Sequence, residues 1–333
     1  MNFNDMFNGL NRFLFDPKPA LPMALVRICI GLLLLQDTVV HLLPDFKLYY
    51  GDNAIIPIEA TLNKYWFNEP YFDLMLVLPH TEQWRFGLFI IFVAAAFCMT
   101  IGLFSRVSMV TSFLCLLSFD NHLALNQNDG DVLLRLICMI LAFSNAGDAL
   151  SIDNLIRSFK QHGRLFGYAN PVSAPWAQRW LQFQIAFVYW HAFVCKITGY
   201  SWISGLACYN SSRYEDCMRF PLPIVFDNLF TIQCLTWGTL VIEFCLWTLI
   251  WFKRCRYWVL LAGLTLHLGI EFTMNLPMFE WVILSTYFAF IDVKDLHSVI
   301  GIVRSKLSRL LGLKARTPFN IASAQPDCPV ITT

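Results

Sequence analysis

The stretch YWHAFVCKITGYSWISG, from Tyr189 to Gly205, ends an apolar run of membrane-spanning length with a lysine, Lys196. A charged amine at the middle of a bilayer costs roughly 3 kcal/mol, and the cost falls near a helix end, where the long side chain carries the ammonium to the headgroups. Lys196 is therefore either an anchor at the end of a transmembrane helix or a base that acts at membrane depth. Either interpretation makes this segment a membrane-spanning helix.

The composition is typical of an integral membrane protein. Of the 333 residues, 57% are hydrophobic and 14% are charged, whereas soluble domains carry about 25% charged residues. The formal net charge is +1, and the chain shows neither a basic patch interleaved with aromatic side chains nor a nucleotide-binding motif. We therefore expect the lipid bilayer as a partner, and we expect no nucleic acid and no nucleotide.

Apolar runs of about 17–25 residues mark membrane-spanning helices. About eight such runs predict an all-α fold, a polytopic transmembrane helical bundle. The predicted spans are approximately 22–43, 84–104, 107–126, 131–149, 176–197, 227–252, 256–275 and 278–294.

Amphipathic segments flank the predicted transmembrane domain, residues 22–294. Residues 1–21 place apolar side chains on one helix face, which predicts an N-terminal helix in the membrane interface. Residues 295–333 are predicted to begin as an amphipathic helix with an opposing basic face and to end as a disordered cytoplasmic tail. Most Lys and Arg residues outside the spans fall in segments that are cytoplasmic if both termini are. The positive-inside rule thus predicts a multi-pass protein of the plasma (inner) membrane with both termini in the cytoplasm.

Polar side chains of the predicted spans gather toward the outer side of the membrane. They are Asp37, His41, Asn121, His122, Asn128, Asp131, Arg135, His191, Lys196, His267, Glu271 and Asn275. The inner half holds little more than Arg27 and Glu243, which we expect to form a structural ion pair, since buried opposite charges normally find each other. Ionisable groups at membrane depth are functional candidates, so the outer group predicts a pocket that opens outward.

In such a pocket, desolvation and a neighbouring cation favour the neutral amine of a lysine. Lys196 is then a candidate general base, and His267 and His191 are candidates to orient it or to share its proton. The candidate substrate- and cofactor-binding residues are Asn128, Asp131, Arg135, Trp202 and Glu271.

Helix geometry gives several of these residues a structural alternative. Asp131 and Arg135 are four residues apart, and an aspartate near a helix start is favoured by the helix dipole. His267 and Glu271 also share a helix face, but a metal site needs a third ligand in a recognisable arrangement. We therefore expect no metal.

The cysteines support a different hypothesis. Cys208 and Cys217 fall nine residues apart in one predicted outer loop, where an oxidising compartment favours a structural disulfide. Cys195 directly precedes Lys196, and a neighbouring cation favours a reactive thiolate. One alternative function is therefore a membrane thiol oxidoreductase, which a chain lacking Cys208 and Cys217 would test. The other is a non-catalytic membrane scaffold or immunity protein that binds a secreted peptide.

Several segments together resemble the horizontally transferred transmembrane (HTTM) domain, which is shared with vitamin K-dependent γ-glutamyl carboxylases. The order and spacing hold over roughly residues 20–293. The matching features are Arg27, YYGDNAIIP at 49–57, NDGDVLLR at 128–135, SID at 151–153, KITGYSWISG at 196–205, Glu243 and HLGIEFTMNLPMFEWVIL at 267–284.

The resemblance implies a helical membrane domain with its chemistry at the outer side. In the carboxylases the lysine that corresponds to Lys196 deprotonates vitamin K hydroquinone, and a base formed from the oxygenated cofactor then removes a proton from glutamate. This chain has Gly130 where the carboxylases have a histidine that assists the base. Only about forty residues follow the last predicted span, so we expect it to lack their large extramembrane domain. The short form is similar to the bacterial branch that includes the SdpB sporulation-delaying factor. The resemblance thus implies an enzyme that modifies or matures a secreted or membrane peptide, with a quinone or hydroquinone cofactor, at the outer leaflet.

Overall fold

The computed structural model describes residues 3–55, 72–123, 128–163, 172–215, 217–220 and 222–310. This part of the chain is mostly helical, and its one small sheet pairs two short antiparallel strands. Three of its helices are long and apolar enough to cross a membrane. They are Leu21–Leu42, Glu82–Ile101 and Leu229–Trp251.

The elements of the N-terminal half are numbered in chain order. They are α1 (Phe3–Phe15), β1 (Lys18–Pro19), α2 (Leu21–Gln36), α3 (Phe46–Tyr50), α4 (Glu82–Ile101), α5 (Ser105–His122), α6 (Asp129–Phe143) and α7 (Ile152–His162). A π-helical segment, Asp37–Leu42, continues α2. Short 3₁₀ turns lie at Leu74–Leu76 and Ala146–Asp148.

The elements of the C-terminal half follow in the same way. They are β2 (Val172–Ser173), α8 (Trp176–Ile197), α9 (Tyr200–Ile203), α10 (Ala207–Ser211), α11 (Pro223–Phe226), α12 (Leu229–Thr248), α13 (Lys253–Thr273), α14 (Phe279–Thr286) and α15 (Val293–Leu310). Single 3₁₀ turns, Leu249–Trp251 and Tyr287–Phe290, extend α12 and α14.

A helix lies at each of the eight predicted spans, but the number of spans stays a prediction. The first, second and sixth predicted spans coincide with the three helices that are long and apolar enough to cross. The fourth, α6, has 15 residues, or about 22 Å at 1.5 Å per residue, whereas a bilayer core is about 30 Å thick. The last, α14 with its 3₁₀ turn, is a short apolar helix.

Helix α2 lies in the middle of the bundle, against α4, α6 and α14, while α8 packs on α12. The crossing of α2 and α4 is close, since a Cβ on Gly31 would lie 2.4 Å from Oγ1 of Thr100. Small residues allow such close approach between membrane helices. The fully buried side chains of this core include Ile30, Leu34 and Met99.

The expected ion pair between Arg27 and Glu243 does not form. Arg27 is fully buried and donates hydrogen bonds to the carbonyl oxygens of Met99 (3.0 Å) and Leu150 (2.7 Å). Met99 lies in the last turn of α4, where unpaired carbonyls carry the negative end of the helix dipole and attract cations. Arg27 thus has a helix end as its partner, and the adjacent Gly102, in the left-handed region at φ 71°, leaves room for the guanidinium.

The motif SID, residues 151–153, holds two helix starts together. Ser151 caps its own helix by accepting a hydrogen bond from the backbone N–H of Asn154 at 3.0 Å. The Asp153 carboxylate accepts hydrogen bonds from the backbone N–H groups of Phe104 (2.9 Å) and Ser105 (2.6 Å) at the start of α5. Asp153 therefore caps a helix that is not its own.

Replacing Asp153 by alanine should lower the apparent melting temperature by about 2 °C, since loss of a helix cap costs about 1 kcal/mol.

Partial burial raises the pKa of Asp153, but hydrogen bonds from Ser105 and Phe104 outweigh it and hold the pKa below its ordinary value. A carboxylate with a lowered pKa stabilises the fold above its unfolded-state pKa of about 3.9, and this contribution is lost as the pH falls through the folded-state pKa. The difference between variant and wild type, measured by thermal unfolding in detergent, should thus shrink in that acidic range. Asp45→Ala, which removes an aspartate without a side-chain cap bond, is the control. Equal losses in both variants at neutral pH would contradict the capping role.

The predicted interfacial helices have exposed apolar faces. On α1 the exposed side chains are Met6, Phe7, Leu10 and Phe15, and on α15 they are Val299, Ile300 and Ile302. Such faces are typical of helices that lie in the membrane interface, and their placement there stays a prediction. Residues beyond 310, predicted to be a disordered tail, lie outside the described part.

Candidate functional site

Lys196 lies near the C-terminal end of α8 and contacts a carboxylate on α12. Its Nζ donates a hydrogen bond to Oε1 of Glu243, whose side chain is only 7% exposed, while the lysine side chain is 27% exposed. The ammonium is therefore directed at a buried anion, not left to reach headgroups alone. Breaking such a buried pair is costly, because the remaining charge loses its partner.

The segment after α8 folds over this ion pair. Lys196 Nζ lies 5.1 Å from the ring centroid of Trp202 on α9, within the range of a cation–π interaction. Gly205 takes a left-handed conformation at φ 76°, and a Cβ there would lie 3.1 Å from the Trp237 ring. The glycine thus allows the chain to turn closely over α12.

A second polar group is buried between α8, α13 and α14. Nε2 of His267 lies 2.6 Å from the Tyr189 hydroxyl, which in turn lies 2.7 Å from the hydroxyl of Tyr287. Nδ1 of His267 contacts Oε2 of Glu280. All four side chains are buried, and together they form a continuous chain of hydrogen bonds.

The two groups lie close enough to interact electrostatically. Glu243 is within electrostatic range of His267 and of Tyr189. Both carboxylates keep one buried oxygen, Oε2 of Glu243 and Oε1 of Glu280, without a hydrogen-bond partner among the described residues. Buried polar atoms are normally satisfied, so each of these two oxygens is a candidate to carry a proton.

A family model, the HTTM domain, matches residues 15–294. The chain belongs to the HTTM family. No curated protein and no solved structure matches it. Membership makes this a membrane protein of the carboxylase-like family, in agreement with its apolar helices.

The structure places the NDGD block of this HTTM domain in a helix cap. Asn128 accepts hydrogen bonds from the backbone N–H groups of Gly130 and Asp131, and Asp131 accepts one from the N–H of Asn128 in return. This reciprocal capping box satisfies the start of α6. Both side chains therefore have a structural role, and their part in binding a substrate or cofactor stays a prediction.

Gly130 lies at a tight contact between α6 and the chain before α14. A Cβ there would lie 2.8 Å from the carbonyl oxygen of Pro277 and 3.0 Å from the backbone nitrogen of Phe279. The position that holds a histidine in the carboxylases therefore has no space for a side chain in this HTTM protein. A buried histidine, His267, instead lies within electrostatic range of Glu243, the partner of Lys196.

Arg135 does not lie beside Lys196 as a neighbouring cation. It pairs with Asp120 at 3.7 Å and contacts Oδ1 of Asn121 at 3.4 Å, both on α5. These contacts join α5 to α6. The cation expected to favour a neutral lysine is thus replaced by an anion, Glu243.

Glu271 is one helical turn beyond His267 but belongs to another contact. It pairs with Arg219 at 2.9 Å, and the same guanidinium donates to Oδ1 of Asn275 at 3.2 Å. The backbone bridge between Met218 and Met274 reinforces this junction. Glu271 therefore attaches the loop before α11 to the end of α13.

His191 contacts Cys195 and not the ion pair, whereas Cys208 lies within electrostatic range of Lys196. Nε2 of His191 lies 3.6 Å from Sγ of Cys195, and both side chains are exposed. Cys208 and Cys217 are free thiols, so the expected disulfide does not form. The backbone N–H of Cys208 donates to Oγ1 of Thr236 on α12, and the carbonyl oxygen of Cys217 accepts from the N–H of Asn275, just after α13.

The site therefore contains three predicted residues, Lys196, Trp202 and His267, together with Glu243 in a new role. Sequence reasoning missed Tyr189, Glu280 and Tyr287. One signal was available: Tyr189 and Lys196 are seven residues apart and share a helix face. The contacts of Glu280 and Tyr287 are between helices, and no spacing along the chain indicates them.

Proposed function

We propose that this HTTM protein is a membrane-embedded enzyme that modifies or matures a peptide, with Lys196 as its general base. The observation that supports this most directly is the Lys196–Glu243 ion pair within electrostatic range of the buried His267. Ionisable groups held together at membrane depth are candidates for a functional site. The fold alone would not support the proposal, since one fold hosts many functions.

The ion pair explains how a lysine with an anionic neighbour acts as a base. A proton passes from Nζ of Lys196 to Oε1 of Glu243, which leaves a neutral amine and a carboxylic acid. The amine then accepts a proton from the substrate, and the charge pair forms again when the carboxylic acid releases its proton. Coupled groups of this kind share protons as a unit.

The chain of hydrogen bonds around His267 lies within electrostatic range of Glu243, and we propose that it receives the released proton. If Glu280 accepts a hydrogen bond from Nδ1–H of His267, then Nε2 is the acceptor for the Tyr189 hydroxyl, and Tyr189 accepts from Tyr287. A carboxylate that fixes the tautomer of a histidine is a recurring arrangement in general acid–base catalysis. His267 would thus exchange a proton with the ion pair without leaving its position.

The residues around Lys196 fit the quinone-type lipid cofactor that the family resemblance implies. A flat ring would find the aromatic face of Trp202, and a ring hydroxyl would find the partly exposed side chain of Lys196. A bound hydroquinone would supply an acidic hydroxyl and two electrons. The protein would bind the ring and exclude water, and Lys196 would accept the proton.

The reaction on the peptide is expected to take place at the outer leaflet. The distribution of Lys and Arg favours cytoplasmic termini and a multi-pass protein of the plasma membrane. We propose that the peptide approaches the C-terminal end of α8, where Lys196 and Trp202 lie.

The proposal is tested by mass spectrometry of secreted peptides from cells with and without this protein. We expect at least one peptide to lose a mass change or a processing step when the protein is absent. Lipid extracts of the purified protein should contain a quinone at about one per chain. Identical peptide profiles together with full function of a Lys196→Met, His267→Ala variant would favour a scaffold instead.

A further inference from the structure

A small recess, partly open to the surface, lies at the opposite end of the bundle from Lys196. Its lining comes from the small sheet, the start of α2, the end of α6 and the start of α8. The polar residues that line it are Lys18, Ser144, Asn145, Ser173 and Gln178.

This recess is distinct from the candidate active site. Gln178 and Lys196 are 18 residues apart on the same continuous helix, α8. At 1.5 Å per residue the two positions are separated by about 27 Å. No residue of the recess takes part in the Lys196–Glu243 pair or in the hydrogen-bonded chain of His267.

Positive charge accumulates around the recess. Lys18 lies within electrostatic range of Arg179 and Lys253, and Arg179 lies within range of Arg256. Two acidic side chains, Asp292 and Asp16, also lie within electrostatic range of Lys18, and Asp292 pairs with Arg256 at 3.4 Å. Burial and then the charge of Arg179 lower the pKa of Lys18, as expected for cations brought together without enough anions.

The recess also presents neutral groups that bind anions. Strand pairing places Lys18 opposite Ser173, and the exposed Asn145 offers an amide donor. The starts of α2 and α8 border the recess, and neither has a side-chain cap. The free backbone N–H groups at these two helix starts add to the positive potential of the basic side chains.

An exposed apolar face of α1 lies next to this recess. Arg179 donates to the carbonyl oxygen of Phe13 at 3.3 Å and lies 4.1 Å from the Phe13 ring centroid. This contact holds α1 beside the recess, with Met6 and Leu10 exposed on its apolar face. An apolar helix face next to a basic recess matches a ligand with an anionic head and a hydrocarbon tail.

We propose that the recess binds the phosphate group of an anionic phospholipid. Lys18 contacts the phosphate, Asn145 and Ser173 donate hydrogen bonds to its oxygens, and an acyl chain lies along α1. The site is independent of the proposed peptide chemistry. It would fix the depth of α1 and of the start of α2 in the leaflet.

The test measures binding of short-chain phosphatidylglycerol, short-chain phosphatidylcholine and inorganic phosphate to the purified full-length protein in neutral detergent. Phosphatidylglycerol should bind more tightly than the other two. Lys18→Gln should weaken its binding about fivefold, since one basic side chain near the surface contributes about 1 kcal/mol to attraction of an anionic lipid. The control is Lys47→Gln, which removes an 86% exposed lysine on α3, beyond the far end of α2.

A second variant, Asn145→Asp, places a negative charge in the recess and should weaken binding at least as much as Lys18→Gln. Equal binding of phosphatidylcholine and phosphatidylglycerol would overturn the proposal. Equal binding of inorganic phosphate and phosphatidylglycerol would assign the recess to a free anion and overturn the lipid as its ligand. Wild-type affinity in both recess variants would also overturn it.

Discussion

Replacing Lys196 by methionine should abolish the peptide modification and should also destabilise the protein. Methionine leaves the Glu243 carboxylate buried without its partner. Removing one member of a buried ion pair typically costs about 3–5 kcal/mol, and uptake of a proton by the remaining carboxylate reduces this cost. The free energy of unfolding in detergent and the mass of the peptide product measure the two effects separately.

The double variant Lys196→Met, Glu243→Gln separates chemistry from folding. Glutamine has the shape of glutamate without its charge, so no unpaired charge remains, and we expect most of the lost stability to return. Activity should not return, because the base is still absent. The coupling between the two substitutions should be about 1–3 kcal/mol, the range for residues in direct contact. Lys47→Met is the matched control and should change neither quantity, since that side chain is 86% exposed.

Two results would contradict this account. An active, stable Lys196→Met protein would leave Lys196 as an anchor and move the chemistry elsewhere, for example to Cys195 and His191. If the double variant were as unstable as Lys196→Met alone, the unpaired charge of Glu243 would not be the cause of the lost stability.

The sequence was sufficient to find Lys196 but not its partner. Apolar periodicity located α8 and the lysine at its end, because both are local features. Depth within the membrane was counted along each span, which placed Glu243 with Arg27. In the structure Glu243 is reached by the long side chain of Lys196, and Arg27 is satisfied by carbonyls at the end of α4. Counting along spans cannot show which helices are neighbours or where their ends meet.

The same limit explains the residues of the NDGD block. Asn followed three residues later by Asp is a helix-start pattern as well as a candidate ligand pair. The structure uses Asn128 and Asp131 for the cap. The tight contact of Gly130 with Pro277 depends on packing between distant segments. The sequence therefore shows that a glycine replaces the histidine, but it does not show that a side chain at this position would have no room.

Replacing Glu280 by glutamine should slow the peptide modification by about 100-fold or more, within the range that general acid–base groups contribute. The substitution keeps the shape of the side chain but removes the charge that fixes Nδ1–H of His267. Glutamine is an uncharged, weaker acceptor whose amide can also turn its NH2 group toward Nδ1, so the proton of the imidazole is free to move to Nε2, which then no longer accepts from Tyr189. Tyr287→Phe removes only the end of the hydrogen-bonded chain and should cost less than tenfold.

The tautomer of the His267 imidazole distinguishes a positioning role of Glu280 from a purely structural one. Nitrogen-15 NMR of labelled histidine should show Nδ1–H in the wild type and in Tyr287→Phe, and a shift toward Nε2–H in Glu280→Gln. If Glu280→Gln kept the wild-type tautomer and rate, the buried chain from Glu280 to Tyr287 would only hold α8, α13 and α14 together. The proton of Lys196 would then leave through Glu243 alone, and His267 would drop out of the mechanism.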